Sequence, residues 1–185
     1  TIGFTIVPIL NSPRRMLGSS ELAFKVITTF GQENQNVIDE IIQMNESRKE
    51  ETAKSKLRFK LSAQGDNLKD IYENKYGIVF YDEHLRSGIA GLVSSYITEL
   101  YHVPSIALGQ NYHGSGRGPL NSNLYEILEQ VDLKDNDILK SWGGHQSAAG
   151  LTVNGEKLEV FKELFNDFAL ENRKHYQKYD HLTSD

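Results

Sequence analysis

The sequence predicts an α/β fold: a small mixed or parallel sheet with flanking helices, preceded by a long bridging helix. Three observations carry that expectation. Apolar runs over Tyr76–Tyr81 and Pro104–Leu108 flank a small-residue helical pattern over Gly88–Tyr101, the spacing of a βαβ unit, which implies a parallel pair joined by a right-handed crossover. From Asn45 to Lys56 the apolar stripe disappears and the sequence is polar all round, as in a helix that crosses solvent between two domains. A short strand, Leu151–Val153, leads into an amphipathic closing helix over Lys157–Asn172 that uses Leu158, Phe161, Leu164, Phe165 and Phe168.

The remaining elements follow in chain order. Ile2–Leu10 has the β-branched content of a short strand, with Pro8 demoting it to an edge. Asn11–Gly18 is expected to be a turn-rich loop holding Arg14 and Arg15. Ser19 or Ser20 then caps a helix through Phe30 with Leu22, Ala23, Val26 and Ile27 inward. A further helix from near Asn34 buries Val37, Ile38, Ile41, Ile42 and Met44, and the alternation of Leu57, Phe59 and Leu61 suggests extended chain beyond it. A Gln-Gly-Asp-Asn loop at Ala63–Asn67 is the expected domain boundary. Gly109–Pro119 is a glycine-rich loop, Asn121–Val131 a short helix, and Ile138–Trp142 leads into Gly143–Gly144–His145. The expected organisation is an N-terminal piece over 1–33, a bridging helix over 34–65, a sheet-bearing domain over 66–172 and a polar tail over 173–185.

Composition narrows the function classes. The chain has 185 residues, 38% of them hydrophobic, enough for a packed core. A net charge of −5 leaves no global basic footprint, so a polyanion would have to be met by a local cluster. The absence of cysteine removes disulfides, thiolate metal sites and cysteine nucleophiles, and fits a cytoplasmic setting. No apolar run approaches the ~20 residues of a membrane span. The chain opens on Thr1 and is already strand-like, as a segment of a longer protein would be.

Three stretches combine small residues with groups able to hold an anion: Arg14/Arg15, Ser115 with Arg117, and Gly143–Gly144–His145. Arginine suits phosphate because its fork donates two parallel hydrogen bonds and stays charged, and bare amides with an imidazole add further donors. The bland alternatives are a solvated arginine pair, a hairpin turn, and a tight turn before a buried strand. Loops leaving the carboxyl ends of strands in an open α/β sheet gather on one edge, which would bring such groups together. A hydrolytic centre is not evident. Asp82, Glu83 and His84 are adjacent, but no Asp-x-Asp, Asp-His-His, Gly-x-Ser-x-Gly or P-loop spacing occurs. No catalytic residue and no metal ligand is therefore assigned.

The quoted residues resemble the DHH phosphoesterases, and within them the RecJ-type single-strand-specific exonucleases. Gly143–Gly144–His145–Gln146–Ser147–Ala148–Ala149–Gly150 matches the Gly-Gly-His-x-x-Ala-Ala-Gly signature of the DHH-associated domain at every fixed position. Gly114–Ser115–Gly116–Arg117 is similar to the family's Gly-Ser-x-Arg-Ser stretch, with Gly118 in place of the last serine. Asn11–Ser12–Pro13–Arg14–Arg15–Met16 is similar to its Asn-Ala-x-Gly-Arg-Met stretch, so Arg15 matches the phosphate-contacting arginine. Asn45 and Arg48 resemble the Leu-Asn-x-x-Arg stretch of the linker. Leu85 and Arg86 stand where many members have a Trp-His pair.

The resemblance implies the C-terminal part of such an exonuclease: a remnant of the catalytic domain, the bridging helix and the substrate-binding domain. It implies Asn11, Arg15, Ser115, Arg117, Gly143, Gly144 and His145 as phosphate contacts. It further implies Mn2+ or Mg2+ held in an N-terminal DHH domain outside this sequence, and single-stranded DNA or a short oligonucleotide as partner, with no membrane. A non-catalytic nucleic-acid or protein binding module, and an oligonucleotide or cyclic-dinucleotide phosphodiesterase, are the alternatives.

Overall fold

The computed structural model describes residues 2–62, 75–120 and 122–180, and the chain forms two compact units, Thr1–Ser55 and Lys56–Asp185. The first unit is helical throughout: α1 (Ile2–Leu10), α2 (Ser12–Leu17), α3 (Glu21–Thr28) and most of α4 (Gln32–Ser62). The strand expected over Ile2–Leu10 is thus a helix. Pro8 near its end removes one hydrogen bond, and the β-branched residues each cost only tenths of a kcal/mol in a helix. Packing outweighs that. The buried Ser12 hydroxyl lies 2.6 Å from the Ile9 carbonyl and 3.1 Å from that of Ile41, tying the α1–α2 joint to α4.

The expected loop at Asn11–Gly18 is likewise helical. Pro13 lies in the first turn of α2, where its missing N–H costs nothing, and Gly18 (φ 77°) closes the helix by donating to the Arg14 carbonyl. In α3 only Ala23 is buried, and Ile27 and Ile42, both expected inward, face solvent. The buried side of α4 instead follows a spacing of three and four through Val37, Ile41, Asn45, the half-buried Arg48, Thr52, Ser55 and Phe59. Its polar middle is therefore not solvated all round: the inward positions are held by polar side chains rather than by apolar ones.

The second unit carries one five-stranded sheet in the order β1-β2-β3-β5-β4, from β1 (Ile78–Tyr81), β2 (Ser105–Leu108), β3 (His113–Arg117), β4 (Leu139–His145) and β5 (Ala148–Val153). As the sequence predicts, β1 and β2 are parallel and joined through a helix, α5 (Ser87–Tyr101). All other pairs are antiparallel, so the sheet is mixed. The helices α6 (Leu124–Lys134) and α7 (Leu158–Asp180) complete the unit.

Adjacent β2 residues divide the core: Ala107 packs with Phe80, Leu85, Ile89 and Val93, while Ile106 packs with Leu124, Leu151, Phe161 and Phe165. Phe59 is fully buried, with ring centroids 5.2 Å from Phe80 and 6.1 Å from Tyr101, both edge-on. Leu57–Leu61 is accordingly helix rather than extended chain. A residue four positions after Ser55 reaches the same inward face. The expected boundary at Ala63–Asn67 lies outside the described residues, as does the end of the polar tail, residues 181–185; the tail's first part, to Asp180, is helix.

Candidate nucleic-acid interface

Two of the three anion-ready stretches are strands, not loops. β3 contains His113–Gly114–Ser115–Gly116–Arg117, and its glycines are required by crowding on one face. A Cβ on Gly114 would run into the Ala107 carbonyl, and one on Gly116 would fall 2.8 Å from a Leu124 methyl. The polar residues between them face the other way, because side chains alternate along a strand. β4 contains Gly143–Gly144–His145, and the turn of the β4–β5 hairpin is Gln146–Ser147.

The register then decides what meets what, since directly opposed residues of an antiparallel pair share a face. Arg117 pairs with Ala148, which pairs with His145; Ser115 pairs with Gly150, which pairs with Gly143. Four of the expected site residues therefore form two adjacent rows across three strands on one sheet face. Arg117 and His145 lie two strand spacings apart, about 10 Å. A bulge at Lys140 makes this arrangement possible. Leu139 opposes Val153 and faces the core, whereas Ser141 opposes Thr152, so one extra residue turns Ser141, Gly143 and His145 outward.

The face is open over its middle. A Cβ on Gly143 or Gly150 would meet nothing within 4 Å. Arg117 is half-buried: its Nη1 donates to the Gly116 carbonyl at 2.7 Å, and its guanidinium lies against Gly91 of α5. A buried chain of hydroxyls fixes the backbone beneath it. Ser105 donates to the Ser94 carbonyl (2.7 Å), and the Thr98 hydroxyl lies 2.6 Å from Ser105 Oγ and 3.2 Å from the Arg117 carbonyl, its one proton shared between them. Two backbone bonds, Gly118 N–H to the Ser147 carbonyl and Leu124 N–H to that of Gln146, latch the segment after β3 to the hairpin tip. A guanidinium, a hydroxyl and an imidazole around a glycine floor can together donate several hydrogen bonds to an anion lying on the sheet.

Gly144 does not share that floor. Its φ is 155°, and a Cβ there would meet the Ala148 carbonyl and, at 2.6 Å, the Ala149 Cα, so it faces the packed side.

Asn11 and Arg15 belong to the first unit. Asn11 is exposed and precedes α2, and Arg15 is half-buried in its last turn. Arg48, also half-buried, holds its guanidinium on the buried Asn45 amide through Nε and Nη2 (3.2 and 2.9 Å). Burial, and after it the charge of Arg15, push the Arg48 pKa down, with Glu46 acting in the opposite direction. Arg48 was legible as a family-like linker residue and not as a neighbour of Arg15. Of the other members of the open face, Ala148 and Gly150 were legible within the Gly143–Gly150 signature, whereas Thr152, Ser141 and His113 were not picked out as site residues. The period-two pattern His-Gly-Ser-Gly-Arg was the signal available for β3.

Asp82 has structural work. Its Oδ1 accepts the His84 N–H at 3.0 Å and its Oδ2 accepts Arg58 Nε at 2.6 Å. Among the described residues no three His, Asp or Glu side chains gather to hold a metal ion, so this donor set does not fit a Mn2+ or Mg2+ centre. No described helix is long and apolar enough to cross a membrane.

Residues 73–171, more than half of the chain, match the model of the DHHA1 domain. The chain belongs to the DHHA1 family. Among curated proteins, this DHHA1 chain is similar to the single-stranded-DNA-specific exonuclease RecJ of Haemophilus influenzae, 31% identical over 170 residues, covering 89% of the chain and 29% of the relative. It is 27% identical over 176 residues to RecJ of Escherichia coli, covering 92% of the chain and 30% of the relative. The chain thus spans under a third of the length of these relatives. Among solved structures, that of RecJ in complex with Mg2+ from Thermus thermophilus superposes with a TM-score of 0.78 at 26% identity, covering 92% of this chain and 26% of that one. A structure of exonuclease RecJ bound to manganese gives 0.75 at 26% identity, over 91% of this chain and 40% of that one. The DHHA1 unit is therefore RecJ-like in sequence and in fold.

Leu85 is fully buried in the α5-side core, and Arg86 beside it is exposed.

Proposed function

We propose that this chain is the nucleic-acid-gripping part of a RecJ-like, metal-dependent single-stranded-DNA exonuclease. Phosphodiester hydrolysis would be carried out by a DHH domain outside this sequence. The observation that carries the reading is the alignment of Arg117 with His145, and of Ser115 with Gly143, on one open sheet face. Phosphates of a single strand would lie over the Gly143–Gly150 floor, held by the Arg117 fork, the Ser115 hydroxyl and the His145 imidazole. Asn11, Arg15 and Arg48 of the first unit would hold a further phosphate.

The first unit exposes Phe4, Phe24, Phe30, Ile27 and Leu17 to solvent, apolar side chains that a further domain of the same protein would cover. Divalent ions named with the solved relatives, Mg2+ and Mn2+, would be bound by that partner. Participation in DNA repair or recombination in the cytoplasm follows from the same reading.

The test is binding of 5′-phosphorylated single-stranded DNA to the 185-residue chain as salt is raised, beside Arg117→Ala and His145→Ala. Affinity that falls steeply with salt and is weakened by both substitutions is expected. Binding that neither substitution alters would refute the reading. Equal affinity for a dinucleotide and a long strand would favour a short-oligonucleotide phosphodiesterase instead.

A further inference from the structure

The open face of the sheet does not end at Ser115 and Gly143. Two residues along each strand, about 6.7 Å away, lies a third row: His113 opposes Thr152, and Thr152 opposes Ser141. Its members are joined across all three strands. The Ser141 hydroxyl donates to Thr152 Oγ1 at 3.1 Å, and Thr152 Oγ1 lies 2.9 Å from His113 Nδ1. Thr152 Oγ1 can accept from Ser141 and still pair with Nδ1, either through its own proton or through its second lone pair. Where Thr152 is the donor to Nδ1, the neutral ring carries its N–H on Nε2. The row therefore ties Nδ1 to the strands on a side chain that is itself exposed, leaving Nε2 as the ring's other polar atom.

The chain enters β3 in a way that fixes this histidine. Asn111 and Tyr112 both have left-handed backbone (φ 56° and 57°), conformations that non-glycine residues hold only under constraint. The constraint is visible: Tyr112 stacks on Tyr81 with centroids 4.9 Å apart and planes 14° apart, and Gly109 N–H bonds the His113 carbonyl at 2.8 Å.

We infer that His113, oriented by Thr152 and Ser141, is a positioning contact for a second phosphodiester of a bound single strand, next to the one over Ser115 and Gly143. The inference rests on the proposed nucleic-acid reading and extends the phosphate path on the sheet by one row, beyond Ser115 and Gly143. Its ligand class is a single-stranded oligonucleotide; a mononucleotide is too short to reach both rows.

The experiment measures affinity of the 185-residue chain for 5′-phosphorylated thymidine oligonucleotides of one, three and six residues, with His113→Ala, His113→Gln, Thr152→Val and Arg117→Ala. His113→Ala and Thr152→Val should weaken the trimer and hexamer roughly three- to tenfold, the worth of one hydrogen bond, and leave the mononucleotide unchanged. His113→Gln, which keeps a donor, should recover part of the loss. Arg117→Ala should weaken all three lengths. Unchanged hexamer affinity in His113→Ala, with Arg117→Ala still weakened, overturns this row and spares the nucleic-acid reading. An equal loss for the mononucleotide overturns the second-phosphate role. A wild-type chain that binds none of the three overturns both.

Discussion

Neighbouring glycines of the Gly143–Gly144 pair should respond in opposite ways to an added side chain. At Gly144 a methyl would collide with the Ala148 carbonyl and lie 2.6 Å from the Ala149 Cα, and φ is 155°. Overpacking of this kind costs about 1–3 kcal/mol, and the backbone conformation adds about 1–3 kcal/mol. A total near 4 kcal/mol lowers the melting temperature by roughly 8–16 °C, at about 2–4 °C per kcal/mol for a chain of this size. At Gly143 the added carbon meets nothing within 4 Å, so Gly143→Val should leave stability unchanged or raise it by up to about 1 kcal/mol, through lost unfolded-state freedom.

Binding should invert the order of concern. A valine on the floor lifts the ligand by its own bulk and forfeits at least one charge-assisted hydrogen bond, about 1.5–3 kcal/mol, or roughly 10- to 150-fold in affinity. Calorimetric melting and oligonucleotide titration on the two variants provide the comparison. If Gly143→Val melts as low as Gly144→Ala, the assignment of faces is wrong. If it melts normally and binds single-stranded DNA like the wild type, the open floor is not where the strand lies.

Other perturbations test the scaffold. Phe59→Ala removes a fully buried ring that meets Phe80 and Tyr101 edge-on, and should cost about 3–5 kcal/mol in urea unfolding. A cost under about 1 kcal/mol would mean that the end of α4 does not share the α5-side core. Asn172 is buried, its Oδ1 accepts the Asn123 N–H at 3.0 Å, and its Nδ2 donates to Glu126. Asn172→Ala should cost about 1–3 kcal/mol and speed hydrogen exchange at Asn123, an amide whose protection would otherwise be unaffected.

Lys157 donates to Asp135 at 2.7 Å; that bond is the chief reason the Asp135 carboxyl is held below its usual range and the Lys157 ammonium above its own. The carboxylate's contribution is complete above about pH 3.9 and lost as pH falls through its lowered folded value; the ammonium's is complete below about pH 10.4 and lost as pH rises through its raised one. The stability difference between wild type and Lys157→Met should accordingly be flat between about pH 4 and 10 and shrink outside that window. A change centred near neutrality would point to another group.

Periodicity made part of this fold legible and concealed the rest. The βαβ unit was readable because Ile78–Tyr81 and Ser105–Leu108 are continuous apolar runs around a small-residue helix. β3 was not, because its core-facing positions are glycines: the crowding of Ala107, Ile106 and Leu124 left no room for the apolar residues that would have marked a strand. Helices α1 and α2 were obscured by β-branched residues and prolines, whose small local penalties tertiary contacts through Ser12 override. At the site, the residue types in Ser115, Arg117 and His145 announced anion chemistry, but their meeting depends on strand register, which no local pattern reports. The bulge at Lys140 was invisible for the same reason: its signature is a mismatch between two strands, not a feature of either one.

That single extra residue has a consequence for how the protein can vary. Removing Lys140 would make Leu139, opposite Val153, and Ser141, opposite Thr152, direct neighbours, so the strand would alternate regularly and Ser141, Gly143 and His145 would stay on the open face. A residue added or removed within Ser141–His145, where every position is paired, instead exchanges inside for outside along the rest of the strand. The strand thus has one place where its length can change by a single residue without moving the open face, and that place lies outside the glycine stretch.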